Sequence, residues 1–166
     1  WGLWVSSRMF VTESDSLFFN YSAGKGIVYY IFDLPNQSLA YDNTTKTHSV
    51  QFAHGIIVGF EHYWTDHLRS NFIAGLSQVN NARFLKNYAA GRQNMPYDFV
   101  STDSIGTYQT DVSFVNHRIQ HFIVNLIYKP TASLEFGVEY NHAKRTTING
   151  QQGVGKRFQI SCIYRF

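Results

Sequence analysis

Arg157-Phe158-Gln159-Ile160-Ser161-Cys162-Ile163-Tyr164-Arg165-Phe166 closes the sequence, and its reading decides the fold. Phe158, Ile160, Cys162, Tyr164 and Phe166 occupy every second position, and Arg157, Gln159, Ser161, Ile163 and Arg165 lie between them. A period of two belongs to a β-strand, whose successive side chains point to opposite faces. One face of this strand is apolar and the other mostly polar. Its length of about 10 residues is what a tilted strand needs to cross a bilayer.

The same period recurs upstream. Leu134, Phe136, Val138 and Tyr140 alternate with Ser133, Glu135, Gly137, Glu139 and Asn141, and Phe122, Val124, Leu126 and Tyr128 alternate with His121, Ile123, Asn125 and Ile127. Phe72, Ala74 and Leu76 form a third apolar row, and Val50, Phe52, Ile56, Val58 and Phe60 a fourth, with His54 as a polar interruption. Leu17, Phe19 and Tyr21 form another, and Leu3, Val5, Met9 and Val11 the weakest. About seven strands are therefore predicted.

The connections are predicted to alternate in length. Short turns fall at residues 13–16, 63–68 and 129–133, and long polar links at 26–47, 79–112 and 146–153. Pro35, Pro96 and Pro130 all fall in these connections, as the missing N–H of proline requires. Short turns at one end and long loops at the other mark an outer-membrane barrel, and a structureless link of that length argues against a compact soluble domain.

Composition agrees. Of 166 residues, 17% are aromatic and only 15% charged, whereas a soluble domain carries about 25% charged residues. The longest apolar run, Gly55 to Phe60, is far short of the roughly 20 residues a spanning helix needs. In a bilayer only a closed barrel would satisfy this backbone. The net charge of +3 is small and does not indicate nucleic-acid binding, no basic run with interleaved aromatics appears, and no nucleic-acid partner is expected. Cys162 is the single cysteine, so no intrachain disulfide is possible. The expected fold is an all-β, antiparallel transmembrane β-barrel, with residues 1–166 forming the C-terminal part of one barrel domain. An odd strand count cannot close a barrel with both termini on the periplasmic side. More strands, and a leader, are therefore expected to precede Trp1.

Tyr63, Trp64, Tyr128, Tyr164 and Phe166 are predicted at the periplasmic rim, where rings with one apolar and one wet end prefer to sit. Phe166 and Tyr164, with apolar residues at every second position before them, resemble the signal read by the outer-membrane assembly machinery. Ser16-Leu17-Phe18-Phe19-Asn20-Tyr21 with Gly24-Lys25-Gly26-Ile27 and Tyr30-Ile31, the stretch from His62 through Trp64-Thr65-Asp66-His67 to Asn71, and Asn125-Leu126-Ile127-Tyr128-Lys129-Pro130 continued through Leu134 and Tyr140 to Lys144-Arg145 resemble the DcaP-like porin family. The resemblance covers most of the chain and falls in the family's C-terminal half. It implies a homotrimer of 16-stranded channels in the outer membrane of a Gram-negative bacterium, passing small and often dicarboxylate solutes. The chain departs from the family in lacking an N-terminal half, and residues 80–111 match no pattern of it.

On the inward row the alternation places Arg8, Arg69, Arg145, Arg157 and Arg165 with Glu61, Glu135 and Glu139. Five arginines against three glutamates give a positive surplus, and guanidinium forks suit carboxylate solutes. The alternative for these arginines is pairing with the glutamates to hold the wall. Lys25 and Lys144 would add to the extracellular mouth. The loop 80–111, with Arg83, Lys86 and Arg92, is the candidate constriction. Small residues at Ser6, Ser22, Ala53, Gly55, Gly59, Gly75, Ser77, Gly137 and Ser161 suggest a broad, water-filled interior. His54 marks either a subunit contact or the headgroup level.

No catalysis, metal or cofactor is expected. Asp66-His67 is ordinary turn chemistry, and Asn141 and His142 point to opposite faces of a strand. His117 and His121 lie about 13 Å apart at strand rise and cannot share a metal. Asn43-Thr44-Thr45 matches a glycosylation acceptor by chance. The favoured function is a diffusion channel with anion preference. The alternatives are an eight-stranded barrel with a structural or adhesion role and a soluble lipocalin-like carrier, whose apolar face would point inward.

Overall fold

Alternation along the chain becomes register between strands in the computed structural model, which describes residues 1–31, 34, 38–42, 45–89 and 115–166. Seven strands form one antiparallel sheet: β1 (Gly2–Phe10), β2 (Asp15–Lys25), β5 (Phe52–Thr65), β6 (Leu68–Asn80), β7 (Asn116–Thr131), β8 (Leu134–Thr147) and β9 (Gln152–Tyr164). Spatial order follows chain order, as in an up-and-down wall, and β1 and β9 are its edges. The remaining strands, β3 (Leu39–Asp42) and β4 (Thr47–Val50), form a separate two-stranded hairpin.

The register unites the rows of the separate strands into two faces. Leu17 lies opposite Phe60 and Phe60 opposite Phe72. Phe72 lies opposite Val124, Val124 opposite Tyr140, and Tyr140 opposite Phe158. The other parity carries Ser16, Glu61, Asn71, Asn125, Glu139 and Gln159 in one continuous row across six strands. The exposed face is the apolar one: Leu17, Phe19, Val58, Phe72, Phe122, Leu126, Phe136, Val138, Phe158 and Ile160 are all exposed. On the polar face, Glu61 is only 6% exposed. A soluble protein buries its apolar face, and an exposed apolar patch of this extent requires a partner or a membrane.

Backbone bonds tie the short turns together at one end of the sheet. Tyr63 N–H donates to Ser14 O at 2.8 Å, Lys129 N–H to His67 O at 2.7 Å and Arg165 N–H to Ser133 O at 2.8 Å. Trp64 lies where the β5–β6 register shifts, and its indole N–H donates to Ser70 Oγ at 2.8 Å.

Four sequence expectations are corrected. Pro130 is not in a turn but within β7, at a register shift between Tyr128 and Thr131. A bulge of this kind accommodates a residue that cannot donate to the ladder. The expected long link at 146–153 is a tight hairpin turn, because Gly150 takes φ 84° and Thr147 N–H donates to Gln151 O at 2.9 Å. The link after β2 is not polar throughout: Val28, Ile31 and Leu34 are buried against Ala53 and Val79, with Ile27 and Ile119 beside them. The link at 79–112 begins with helix α1 (Arg83–Ala89), whose Leu85 packs with Ala40, Ala82 and Val115.

The small residues of the polar face are correspondingly less open than expected. A Cβ on Gly59 would fall 1.9 Å from Phe18 Cζ, so the Phe18 ring lies flat over Gly59, its cross-strand partner. A Cβ on Gly55 would fall 2.8 Å from Ile31 Cγ2. These glycines seat apolar side chains from β2 and from the following link, and Ala53 is fully buried. Aromatic cover over a strand glycine replaces the packing that the glycine lacks. Pro35, Pro96, Asn43 and Thr44 lie outside the described residues.

Candidate functional site

The candidate site is the charge row of the polar face, built by register. Glu61 of β5 stands opposite Ser16 of β2 and Asn71 of β6. Arg8 of β1 lies opposite Phe18, two positions along β2 from Ser16, and Arg69 lies two positions from Asn71 on β6. Arg69 is therefore the diagonal neighbour of Glu61, and Arg8, diagonal to Ser16, reaches the same carboxylate across β2. Arg69 Nη1 donates to Glu61 Oε2 at 3.0 Å, and Arg8 Nη2 donates to Glu61 Oε1 and, at 2.9 Å, to Ser16 Oγ. Burial of Glu61 is tolerated because each of its oxygens has a cationic donor. The group holds two positive charges and one negative. The Arg8 side chain is 49% exposed, so part of its donor fork faces solvent.

The row continues through neutral amides. Asn71 Nδ2 donates to Asn125 Oδ1 at 2.8 Å, and the backbone N–H of Asn71 adds a second bond at 3.2 Å. Glu139 follows, with Arg157 Nη2 at 3.6 Å from its Oε1. Nearer the short turns Arg165 Nη1 lies 3.7 Å from Glu135 Oε2. These two contacts are looser than those of Glu61, and their arginines are more than half exposed. Arg145 lies on the same face toward the other end, opposite Ile119 and Gly153, and is half-buried.

All eight residues singled out for the inward row thus share one face, seven in strands and Arg165 just past β9, but they form three groups: Arg8–Glu61–Arg69, Glu139–Arg157 and Glu135–Arg165, with Arg145 outside these three. Arg83 and Lys86 are exposed on α1, away from its packed Leu85, while Arg92 lies outside the described residues. Tyr164 and Phe166 are exposed at the chain end, ring to ring at 6.2 Å.

Sequence reading did not single out Ser16, Asn71 and Asn125, which make the row continuous; the signal was their inward parity. It also missed the hub that fixes the start of α1. The Gln51 amide oxygen accepts Ala82 N–H at 3.2 Å, and Asn81 Nδ2 donates to Asn116 O at 3.2 Å. Asp66 and His67 lie in the β5–β6 turn, where His67 Nδ1 is 3.0 Å from Lys129 O. His117 Nδ1 lies 3.1 Å from Val79 O.

His54, on the apolar face, stands beside Phe52 with ring centroids 6.1 Å apart and opposite Gln78. Gln78 in turn lies opposite Arg118 and accepts its Nε–H at 3.1 Å. His54 is therefore one member of a polar band at the end of the apolar face, not an isolated interruption in it. That supports the headgroup-level reading of this residue.

No protein-family model matches the chain, and no curated protein matches it. Among solved structures it is similar to the crystal structure of the outer membrane channel DcaP of Acinetobacter baumannii, at 21% sequence identity and a TM-score of 0.73. The match covers 99% of this chain and 40% of that channel, so the chain spans less than half of the channel's length. At that identity the likeness is one of fold: the chain has the all-β, antiparallel architecture of part of an outer-membrane β-barrel.

Proposed function

We propose that the chain is part of the wall of a porin in the bacterial outer membrane, a water-filled channel for small hydrophilic solutes with a preference for anions, dicarboxylate-like molecules included. One observation carries the reading: the apolar face of the sheet is its exposed face, and the opposite face holds a row of arginines and glutamates. Lipid suits the first and water the second. On this reading residues 1–166 form one barrel domain together with further strands, and no residue has a catalytic role.

The anion preference rests on the Arg8–Glu61–Arg69 group. Glutamates elsewhere face one arginine each, but Glu61 serves two, which leaves a positive surplus at that level. In a lumen at physiological salt the Debye length is about 8 Å, so the surplus acts on a solute only where the passage is narrow. The inward packing of Ile31 on Gly55 supplies one narrowing element, and α1 with Arg83 and Lys86 is proposed as another.

The expected result is a reversal potential of anion-selective sign for the full-length channel in a salt gradient, moved toward zero by Arg69→Ala with Arg157→Ala. Cation selectivity, or no change in the double variant, contradicts the preference. Assembly as a homotrimer is proposed from the family resemblance alone, since His54 no longer argues for a subunit contact.

Phe166, fully exposed at the C-terminus, is proposed as the handle for the outer-membrane assembly machinery. Deleting it is expected to slow accumulation of folded barrel in cells while leaving single-channel conductance unchanged. Folded yield equal to the parent's would contradict this role.

A further inference from the structure

The exposed face of the sheet changes character along its length. Toward the short turns it is apolar. Beyond the level of Phe158 the outward positions of β7, β8 and β9 carry Lys156, His142, Lys144, Gln120 and Arg118, with Val154 among them, and Gln78 continues the polar band on β6. Register places these groups together. Phe122 lies opposite His142, and His142 opposite Lys156. Gln120 lies opposite Lys144, with Arg118 two positions along the same strand. Lys144 is therefore the diagonal neighbour of both Arg118 and Lys156, at a Cα spacing of about 7–8 Å. That is close enough for three long side chains to reach one group.

We propose that Arg118, Lys144 and Lys156 form a seat for the phosphates of a membrane-lipid headgroup, on the outer surface of the barrel at the end bearing the long links. The proposal rests on the reading of the apolar face as lipid-facing. Three observations support it. Asp15 is the one carboxylate on that face among the described residues of the seven-stranded sheet. It lies at the opposite end and is held by His62 Nδ1 at 2.6 Å, so no carboxylate among the described residues of the face neutralises the cations. The Arg118 Nε–H is taken by Gln78, which fixes the guanidinium, and its terminal nitrogens have no hydrogen-bond partner among the described residues. Arg118 and Lys156 are exposed.

Cations just beyond a hydrocarbon belt sit at headgroup depth, where each gains from an anionic lipid and where deeper placement would be costly. A guanidinium fork beside two ammonium groups suits phosphate oxygens, which are tetrahedral and multiply charged. A second copy of the chain would need carboxylates at this level, and this face offers none among its described strand residues.

The test is native mass spectrometry of the full-length protein released from detergent, with bisphosphorylated lipid A as probe, dephosphorylated lipid A as control and inorganic phosphate as competitor. The protein is expected to retain the phosphorylated lipid, not the dephosphorylated one, and millimolar phosphate is expected not to displace it. The triple variant Arg118→Gln, Lys144→Gln, Lys156→Gln is expected to lose about a hundredfold in retention, and Lys156→Gln alone about fivefold. Equal retention of both lipids, or of the phosphorylated lipid by parent and variants, overturns the proposal. Displacement by free phosphate overturns the lipid as the source. If the triple variant does not assemble, the single variant decides, because Lys156 is exposed and loss of one exposed charge is a small change to the fold. Reversal potentials measured on the same preparations separate the two readings: an anion-selective channel that ignores lipid phosphate overturns the seat and leaves the channel standing.

Discussion

Val138→Arg is expected to destabilise the folded barrel by about 2–4 kcal/mol, read as a shift in urea unfolding of the full-length protein in lipid vesicles. Val138 lies mid-strand on the exposed apolar face, between Leu126 of β7 and Ile160 of β9. A guanidinium there has no counter-ion within the sheet and must either enter hydrocarbon or distort the strand to escape it. The neighbouring substitution Glu139→Arg introduces the same side chain on the opposite face. It loses the 3.6 Å contact with Arg157, a half-exposed pair, and is expected to cost about 1 kcal/mol or less. A larger cost for Glu139→Arg than for Val138→Arg would mean that the faces are assigned the wrong way round.

The second large effect is expected at Glu61. Glu61→Leu removes the acceptor shared by Arg8 and Arg69 and leaves two guanidinium groups facing one another across β2 and β5. Charge-assisted hydrogen bonds are worth about 1.5–3 kcal/mol each when one partner is lost, but both arginines reach water, so a net loss of about 2 kcal/mol is expected. Glu61→Gln keeps one acceptor oxygen and should recover part of it. Both variants also remove a negative charge from the row, and the reversal potential should become more anion-selective in step. Unchanged stability and unchanged selectivity together would show that the group neither holds the wall nor meets the permeating ion.

What was legible in the sequence was whatever a period of two can report. The row from Phe158 to Phe166 fixed the facing of β9, and the same logic gave the facing of Val138, Leu126 and Val58 without any knowledge of pairing. The extent of strands was less legible where the outward side chain stops being apolar. β7 begins at Asn116, but Arg118 and Gln120 face outward there while Ile119 faces inward, so hydropathy alone inverts the expected pattern. The hairpin at Asn149-Gly150 carries its own signal, a glycine suited to positive φ after an asparagine, which is local and does not show in a period of two. The apolar stretch Ile27 to Ile31 was a visible departure from a polar link, and its burial against Ala53 and Val79 explains it.

The contacts of the site were less legible still. Arg8 and Glu61 are joined only after the β1–β2 hairpin and the β2–β5 pairing across a long link have set their registers, and a slip of one residue in either pairing would move one of them to the other face. Phe18 over Gly59 depends on the same alignment.

The central claim is that the exposed apolar face meets lipid while the Arg/Glu row meets water, and labelling of the two faces tests it most directly. In the full-length protein, with Cys162 replaced by serine, a single cysteine is placed at 138 or at 139 and carries a small fluorophore in vesicles whose lipids bear a mid-chain quencher. The account predicts strong quenching from position 138 and little from 139, with 139 alone open to a charged, water-soluble thiol reagent before labelling. Quenching at 139 with aqueous access at 138, or aqueous access at both, would contradict it.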